Sequence, residues 1–277
     1  MEINKHISFS LDDGPELFTY LQNNNIPYKI VMHMCVFDIY ESNPHWENIS
    51  RMLKQSKALW LSNTIFTKKE LSDAQWLTVR SIWRNGYPQP EDDFSYESIT
   101  YSDKKCCQKC GSGLYQQDDF RIRKAVNWGK RHFMMLNWVE DELFVDDIAR
   151  NILEKEKITG VSFRSVKNKK GTEIIPNINQ LVISTVLPKG IFTDNRAIRD
   201  INMCSSCGVT KYLPTGIGRF QFDRRIFENA PDIVWTDEVF GSGSIASHEI
   251  IVNQKVYQTI IQNHLESGLK FQPIELI

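Results

Sequence analysis

The chain has 277 residues, 41% of them hydrophobic and 24% charged, and a formal net charge of −1. That balance excludes a disordered polyelectrolyte and a strongly basic nucleic-acid module, and no apolar run approaches the roughly 18 residues needed to cross a bilayer. The N-terminus, Met1 to His6, is polar and has no signal-peptide h-region, so a cytoplasmic protein that meets no membrane is expected.

Ile7-Ser8-Phe9-Ser10-Leu11 alternates apolar and polar residues and predicts a strand. Asp12-Asp13-Gly14-Pro15 is a turn that opens a helix, with Pro15 at its first position and Leu17, Phe18 and Leu21 on its apolar face. Tyr28–Tyr40 is rich in β-branched and aromatic residues and predicts one long strand containing Cys35, a buried small hydrophobe. Asn43-Pro44 caps a helix carrying Trp46, Ile49 and Leu53. Leu59-Trp60-Leu61 is a short strand, and Thr67-Lys68-Lys69-Glu70 is a capping box. The β-α-β-α-β order predicts a small α/β sandwich-like unit over residues 1–93. Residues 84–93, with Gly86, Pro88, Pro90 and an acidic run, read either as a linker or as an ordered loop packed on Tyr87.

The second unit, residues 94–277, holds five of the six cysteines. Four of these form Cys107-Gln108-Lys109-Cys110-Gly111 and Cys204-Ser205-Ser206-Cys207-Gly208. Two thiolates from one tight turn can share a tetrahedral metal, and the glycine after the second permits the positive φ of such a turn. Two such half-sites make one Cys₄ zinc site from Cys107, Cys110, Cys204 and Cys207, about one Zn²⁺ per chain. The ion is structural, with no open coordination position. Cys106 can replace Cys107 or stay free. A disulfide framework requires an oxidising compartment, to which nothing directs the chain. The half-sites lie roughly ninety residues apart, far beyond the spacing of a compact zinc ribbon.

A diverged internal repeat accounts for that gap, over about 107–166 and 204–274. After each knuckle come a tryptophan (Trp138, Trp235) and an acidic motif, Asp141-Glu142-Leu143-Phe144 and Asp237-Glu238-Val239-Phe240. An amphipathic helix follows each, with Val145, Ile148, Ala149, Ile152 and Leu153, or Val256, Ile260, Ile261 and Leu265. Each half closes on a glycine and a strand, Gly160–Val166 and Gly268–Ile274. The half-sites then meet at a pseudo-twofold contact with the metal between them. The expected fold is α+β, a small N-terminal unit followed by a zinc-stapled, duplicated α+β domain.

In these residues, over Cys107–Ile274 or about 60% of the chain, the sequence resembles the double-CXXCG proteins, a bacterial group that includes immunity proteins of polymorphic toxin systems. The resemblance implies a cytoplasmic binding protein that neutralises a partner toxin, and it supplies no catalytic residues.

No catalytic or cofactor-binding constellation stands out. H-E-x-x-H, G-x-S-x-G and the phosphate-binding P-loop are absent. His45-Trp46-Glu47 mimics the H-x-E of zinc deaminases without the following proline-cysteine pair, and reads as a packing histidine. Gly216-Ile217-Gly218-Arg219 reads as a turn between strands. Glu140-Asp141-Glu142 can act as paired acids, but reads more simply as charges favouring a helix N-terminus. The leading expectation is a non-enzymatic, zinc-stabilised interaction protein with a protein partner. Asp12, Asp13, Glu91, Asp92 and Asp93 are candidates for meeting a basic toxin. The alternative is a nucleic-acid-binding zinc protein using Arg121, Arg123, Lys124, Lys130, Arg131 and His132 around Trp128. An enzyme with an unrecognised site is the further alternative.

Overall fold

The computed structural model describes residues 1–277 and is α+β, with short helices and several small sheets. Contacts divide it into two compact units, one comprising Met1–Glu70 with Pro214–Gly218, the other Leu71–Leu213 with Arg219–Ile277.

The first unit contains β1 (Glu2–Ser10), α1 (Pro15–Asn23), β2 (Lys29–Val31), β3 (Met34–Tyr40), α2 (Trp46–Gln55), β4 (Leu59–Ile65) and the start of α3 (Lys68–Asp73). Its antiparallel sheet has the order β2-β3-β1-β4. Ile7 and Phe9 of β1, with Cys35, Phe37 and Ile39 of β3, form one core with Leu17, Leu21, Ile49 and Leu53 of the helices. This is the expected two-layer arrangement of sheet and helices. The single long strand expected over Tyr28–Tyr40 is instead a hairpin. Met32 turns the chain with φ 55° and is 97% exposed. Strand propensity ran across that turn because its apolar residues give no sign of it. The capping box forms as the sequence predicts, since Thr67 Oγ1 accepts from the Glu70 N–H at 3.2 Å and Glu70 Oε2 from the Thr67 N–H at 2.9 Å. The Thr67 N–H, with the N-terminal ammonium and the Thr67 hydroxyl, holds the Glu70 carboxyl down at about 2.

The second unit begins with β5 (Trp76–Ser81), α4 (Tyr96–Thr100), β6 (Tyr101–Ser102), β7 (Tyr115–Gln116), β8 (Arg121–Ile122) and β9 (Phe133–Met134). It continues through β10 (Leu143–Val145), α5 (Asp147–Lys155), β11 (Val161–Asn168), β12 (Ile174–Ile183), β13 (Ile191–Phe192) and β14 (Ile198–Met203). The chain ends with β15 (Thr210–Pro214), β16 (Gln221–Phe222), β17 (Ile233–Trp235), β18 (Val239–Phe240), β19 (Ile250–Asn253), α6 (Gln254–Gln262), β20 (Leu269–Pro273) and β21 (Glu275–Leu276).

The expected boundary at residue 93 moves back to Glu70. The reason is β5, which pairs with β19 and β20, almost two hundred residues on. The stretch 84–93 is an ordered loop of the second unit. Asn85 donates to the Met135 carbonyl at 3.0 Å, and Tyr87 packs on Trp138 with ring centroids 4.5 Å apart.

Two sheets dominate this unit, in the orders β8-β11-β12-β10-β9 and β17-β19-β5-β20. Their registers correspond. Val145 pairs with Phe133 and Asn179, while Val252 pairs with Ile233 and Leu77. Phe163 faces Leu181, and Phe271 faces Val79. A helix leaves β10 through the N-cap Asp146 and leaves β19 through the N-cap Asn253. Glycines at φ 86° then start β11 and β20, Gly160 and Gly268. The central strand is exchanged between the halves. β12 opens the second half of the unit and completes the first half's sheet, whereas β5 opens the first half and completes the second half's sheet.

The counterpart of Asp141–Phe144 is therefore His248–Ile251. Asp237–Phe240, matched to it by sequence, instead ends in β18, whose Val239 and Phe240 pair with β15. Both sheets and both helices share one core, which includes Leu77, Val145, Leu153, Leu181, Val252 and Ile260.

Candidate metal centre

The two C-x-x-C-G turns share two backbone hydrogen bonds. The Gly111 N–H donates to the Cys107 carbonyl and the Gly208 N–H to the Cys204 carbonyl, each at 2.8 Å. The Cys107 and Cys204 N–H groups donate to Ser112 and Val209 carbonyls, again at 2.8 Å. Gly111 and Gly208 have φ of 76° and 74°, the left-handed conformation the turn requires. A Cβ on Gly111 would also lie 1.9 Å from the Ser244 carbonyl oxygen.

The folded chain brings the two turns together. Cys107 Sγ lies 3.8 Å from Cys204 Sγ, and Cys110 Sγ lies 3.6 Å from Cys207 Sγ. All four sulfurs fall within 4.8 Å of one another, so Cys107, Cys110, Cys204 and Cys207 could hold a metal ion. A tetrahedron of thiolates at about 2.3 Å from a central ion has sulfur–sulfur edges of about 3.8 Å, close to the two cross-turn distances. A disulfide would need about 2.0 Å, and all six cysteines are free thiols. Cys107 belongs to this group and Cys106 lies outside it. Cys35 is fully buried in the first unit's core, and burial pushes its thiol up to about 11.

The backbone of each turn favours the thiolate at its first cysteine. The Cys110 and Lys109 N–H groups lower the Cys107 thiol, and those of Ser206 and Cys207 hold Cys204 at about 6. Cys207 receives the Val209 N–H, which lowers it, but burial and the three neighbouring thiols push it up to about 12. Four adjacent thiolates repel each other, and a divalent ion relieves that repulsion. Two lysines add positive charge. Lys109 Nζ donates across to Ser205 Oγ at 2.6 Å. Lys211 Nζ, 5% exposed, donates to the carbonyls of Cys110 at 3.1 Å, Gly243 at 2.8 Å and Ile245 at 2.6 Å. Nothing in the sequence marked Lys211, because its partners come from two loops, at Cys110 and at Gly243–Ile245, both distant from it in sequence.

The other candidates disperse. Trp128 is 6% exposed and donates from Nε1 to the Asn177 carbonyl at 2.8 Å, so its ring offers no face to a base. Arg121 pairs with Asp118 at 2.9 Å and Arg123 with Glu91 at 3.0 Å, while Arg131 lies over Trp83. His45 Nδ1 meets the Tyr20 hydroxyl at 3.1 Å, a packing role. The acidic residues fall in different units: Asp12, paired with His33, and Asp13 lie in the first, whereas Glu91, Asp92 and Asp93 lie in the second. Gly216 forms the expected turn, and its carbonyl accepts from the Thr64 N–H at 2.9 Å. Glu140-Asp141-Glu142 is not at a helix N-terminus, because Asp146 and Asp147 occupy that position. The three acids line a cavity instead. No helix is long and apolar enough to cross a membrane. No family model matches the chain, and no curated protein matches it.

Proposed function

We propose that the chain is a non-enzymatic protein-interaction protein whose second unit is stapled by one structural Zn²⁺, and that it neutralises a bacterial toxin by covering its active site in the cytoplasm. The observation that carries the zinc reading is the meeting of four thiols at tetrahedral spacing. Four thiolates fill a tetrahedral ion's coordination and leave no position for substrate, so the ion would be a staple. Soft thiolate ligands favour zinc among the common cellular divalent cations. The reciprocal strand exchange supports treating the two halves as repeats held at their knuckles.

The interaction reading draws on the first unit's edge strands. On β4, Leu59 is 72% and Leu61 73% exposed, with Trp60 between them. Adjacent exposed apolar side chains on a sheet edge suit pairing with a partner. The toxin is inferred from the resemblance of the knuckles, the two Asp-Glu motifs and the closing strand Gly268–Ile274 to the double-CXXCG proteins. The buried Trp128 ring weighs against the nucleic-acid alternative.

Two measurements test the two levels separately. Elemental analysis of purified protein should give about one zinc per chain, and finding no metal would overturn the staple. Co-expression with the product of the neighbouring gene should yield a stable complex and suppress any toxicity of that product. Neither complex nor rescue would sink the neutralising role and leave the zinc result standing.

A further inference from the structure

A cavity of about 750 Å³ opens in the second unit beside the first knuckle, with Gly111–Leu114 along one side. Its size suits a small ligand or a bound side chain. Both tryptophans that follow the knuckles line it, Trp138 and Trp235, together with Tyr96 and Tyr101. Trp138 is held in place on several sides. It packs against Tyr87 and Phe94 with centroids 4.5 Å from each, and its carbonyl accepts from the Tyr96 hydroxyl at 3.5 Å. Its backbone has φ 69°, a strained conformation for so bulky a residue, yet 40% of its surface stays open.

The charge in this cavity is one-sided. Glu97, Glu140, Asp141 and Glu142 line it, against a single strong cation, Arg164. Glu140 is neutralised by Arg84 at 2.6 Å, and Arg164 is drawn toward Asp119 at 3.6 Å. Asp141 accepts the backbone N–H of His248 at 3.1 Å, and Glu142 accepts the Gln180 amide at 2.9 Å; neither carboxyl has an ion-pair partner within contact distance. Glu142 is 5% exposed. Burial and the Asp141 charge push its carboxyl up to about 8, and burial also raises Asp141 and Glu97. Two further polar atoms of lining residues, Trp235 Nε1 and His248 Nδ1, are buried without a hydrogen-bond partner. The wall is thus polar, with aromatic faces around buried carboxyl groups and two unpartnered nitrogen atoms. Aromatic faces attract cations, and desolvated carboxylates strengthen that attraction.

We propose that this cavity is a binding site for an organic cation, an alkylammonium or guanidinium group, with Asp141 and Glu142 as its counter-charges and Trp138 and Tyr101 as its aromatic wall. The cation could belong to a free small molecule or to a basic side chain of a protein partner. The chemistry is the same in both cases.

The test titrates the metal-loaded full chain with agmatine, with spermidine and with the tripeptide Gly-Arg-Gly, followed by tryptophan fluorescence and by melting temperature. At least one probe should bind saturably at a single site and raise the melting temperature. Tighter binding of agmatine or spermidine would assign a free cation, and tighter binding of the tripeptide a partner's side chain. Glu142→Gln, which keeps the shape and removes the charge, should weaken binding about tenfold or more, and Asp141→Asn should act in the same direction. Because burial holds Glu142 near 8 and so largely protonated in the empty site at neutral pH, Glu142→Gln mimics its neutral form and should fold at least as well as the wild type, so its loss of binding reads the charge that a bound cation draws out. No saturation by any probe below about 10 mM would overturn the proposal, as would equal binding by Glu142→Gln.

Discussion

The two principal sheets of the second unit share one backbone plan and differ in what they place at its corresponding positions. Glu142 stands immediately before β10, and Glu249 immediately before β19. One residue earlier the first half has Asp141 and the second has His248, and these two meet, the His248 N–H donating to Asp141 Oδ2. The N-caps differ as well. Asp146 accepts from the Ala149 N–H and also meets His132 Nδ1 at 2.8 Å, while Asn253 accepts from the Val256 N–H and bonds Asp232. The comparison teaches that the shared plan carries register, helix and knuckle. The chemistry was free to diverge wherever a side chain left the common core. The acid lining of the cavity comes from one half only.

The knuckles offer the strongest way to break this comparison. If both supply equal shares of one metal, Cys107→Ser and Cys204→Ser should each release the ion and cost several kcal/mol, comparably in the two variants. Calorimetry with metal analysis would read this, and a variant that keeps its zinc and its stability would show that the halves are not equivalent. Next come the outward faces of the paired strands. Phe144 is fully buried against Phe120 at 5.2 Å, and Ile251 is fully buried in the core on its own sheet's far side. Phe144→Ala should cost about 3–5 kcal/mol and Ile251→Ala about 2–5 kcal/mol in denaturant unfolding. Losses under about 1 kcal/mol for either would mean that the sheets are not both packed on two sides.

The matched glutamates predict a graded pH effect. Burial raises Glu142 to about 8 and Glu249 to about 7 from an ordinary 4.5. The folded state holds these protons more tightly than the unfolded state. Their contribution is therefore complete below about pH 4.5 and falls as pH rises toward the folded values. Melting temperature should drop between about pH 5 and pH 8, and Glu142→Gln should flatten the part nearest pH 8. Glu249→Gln should flatten the part ending near pH 7. A wild-type curve that rises over the whole interval would contradict this. The smallest effect belongs to the caps. Asn253→Ala should cost about 1 kcal/mol and Asp146→Ala more, up to about 2 kcal/mol, because it also strips His132 of its partner. Equal costs would mean that the His132 contact adds nothing.

Much of the site was legible because it depends on short-range geometry. Two residues between thiolates and a glycine after them encode a turn regardless of surroundings, and both turns form and share two backbone bonds. The helices were legible from apolar spacing, and Thr67 with Glu70 marked a cap that forms as read. The strand exchange was not legible. Leu77 and Asn179 carry no local mark of the sheet they join, and pairing energy depends on neighbours distant in sequence. The counterpart of Asp141-Glu142 was misread for a related reason. Asp237-Glu238 matched it in letters, whereas His248-Glu249 matches it in register.

By itself, then, the sequence determined the α+β class, the two thiolate turns with their positive-φ glycines, and the helices that follow them, all features written within a few residues. Only the tertiary structure decided that Cys107 rather than Cys106 joins the cluster, that β5 belongs with the second half, and that Glu142 lines a cavity rather than a helix end. Those outcomes depend on which distant surfaces meet, and burial, sulfur spacing and desolvation of charge exist only once they have met.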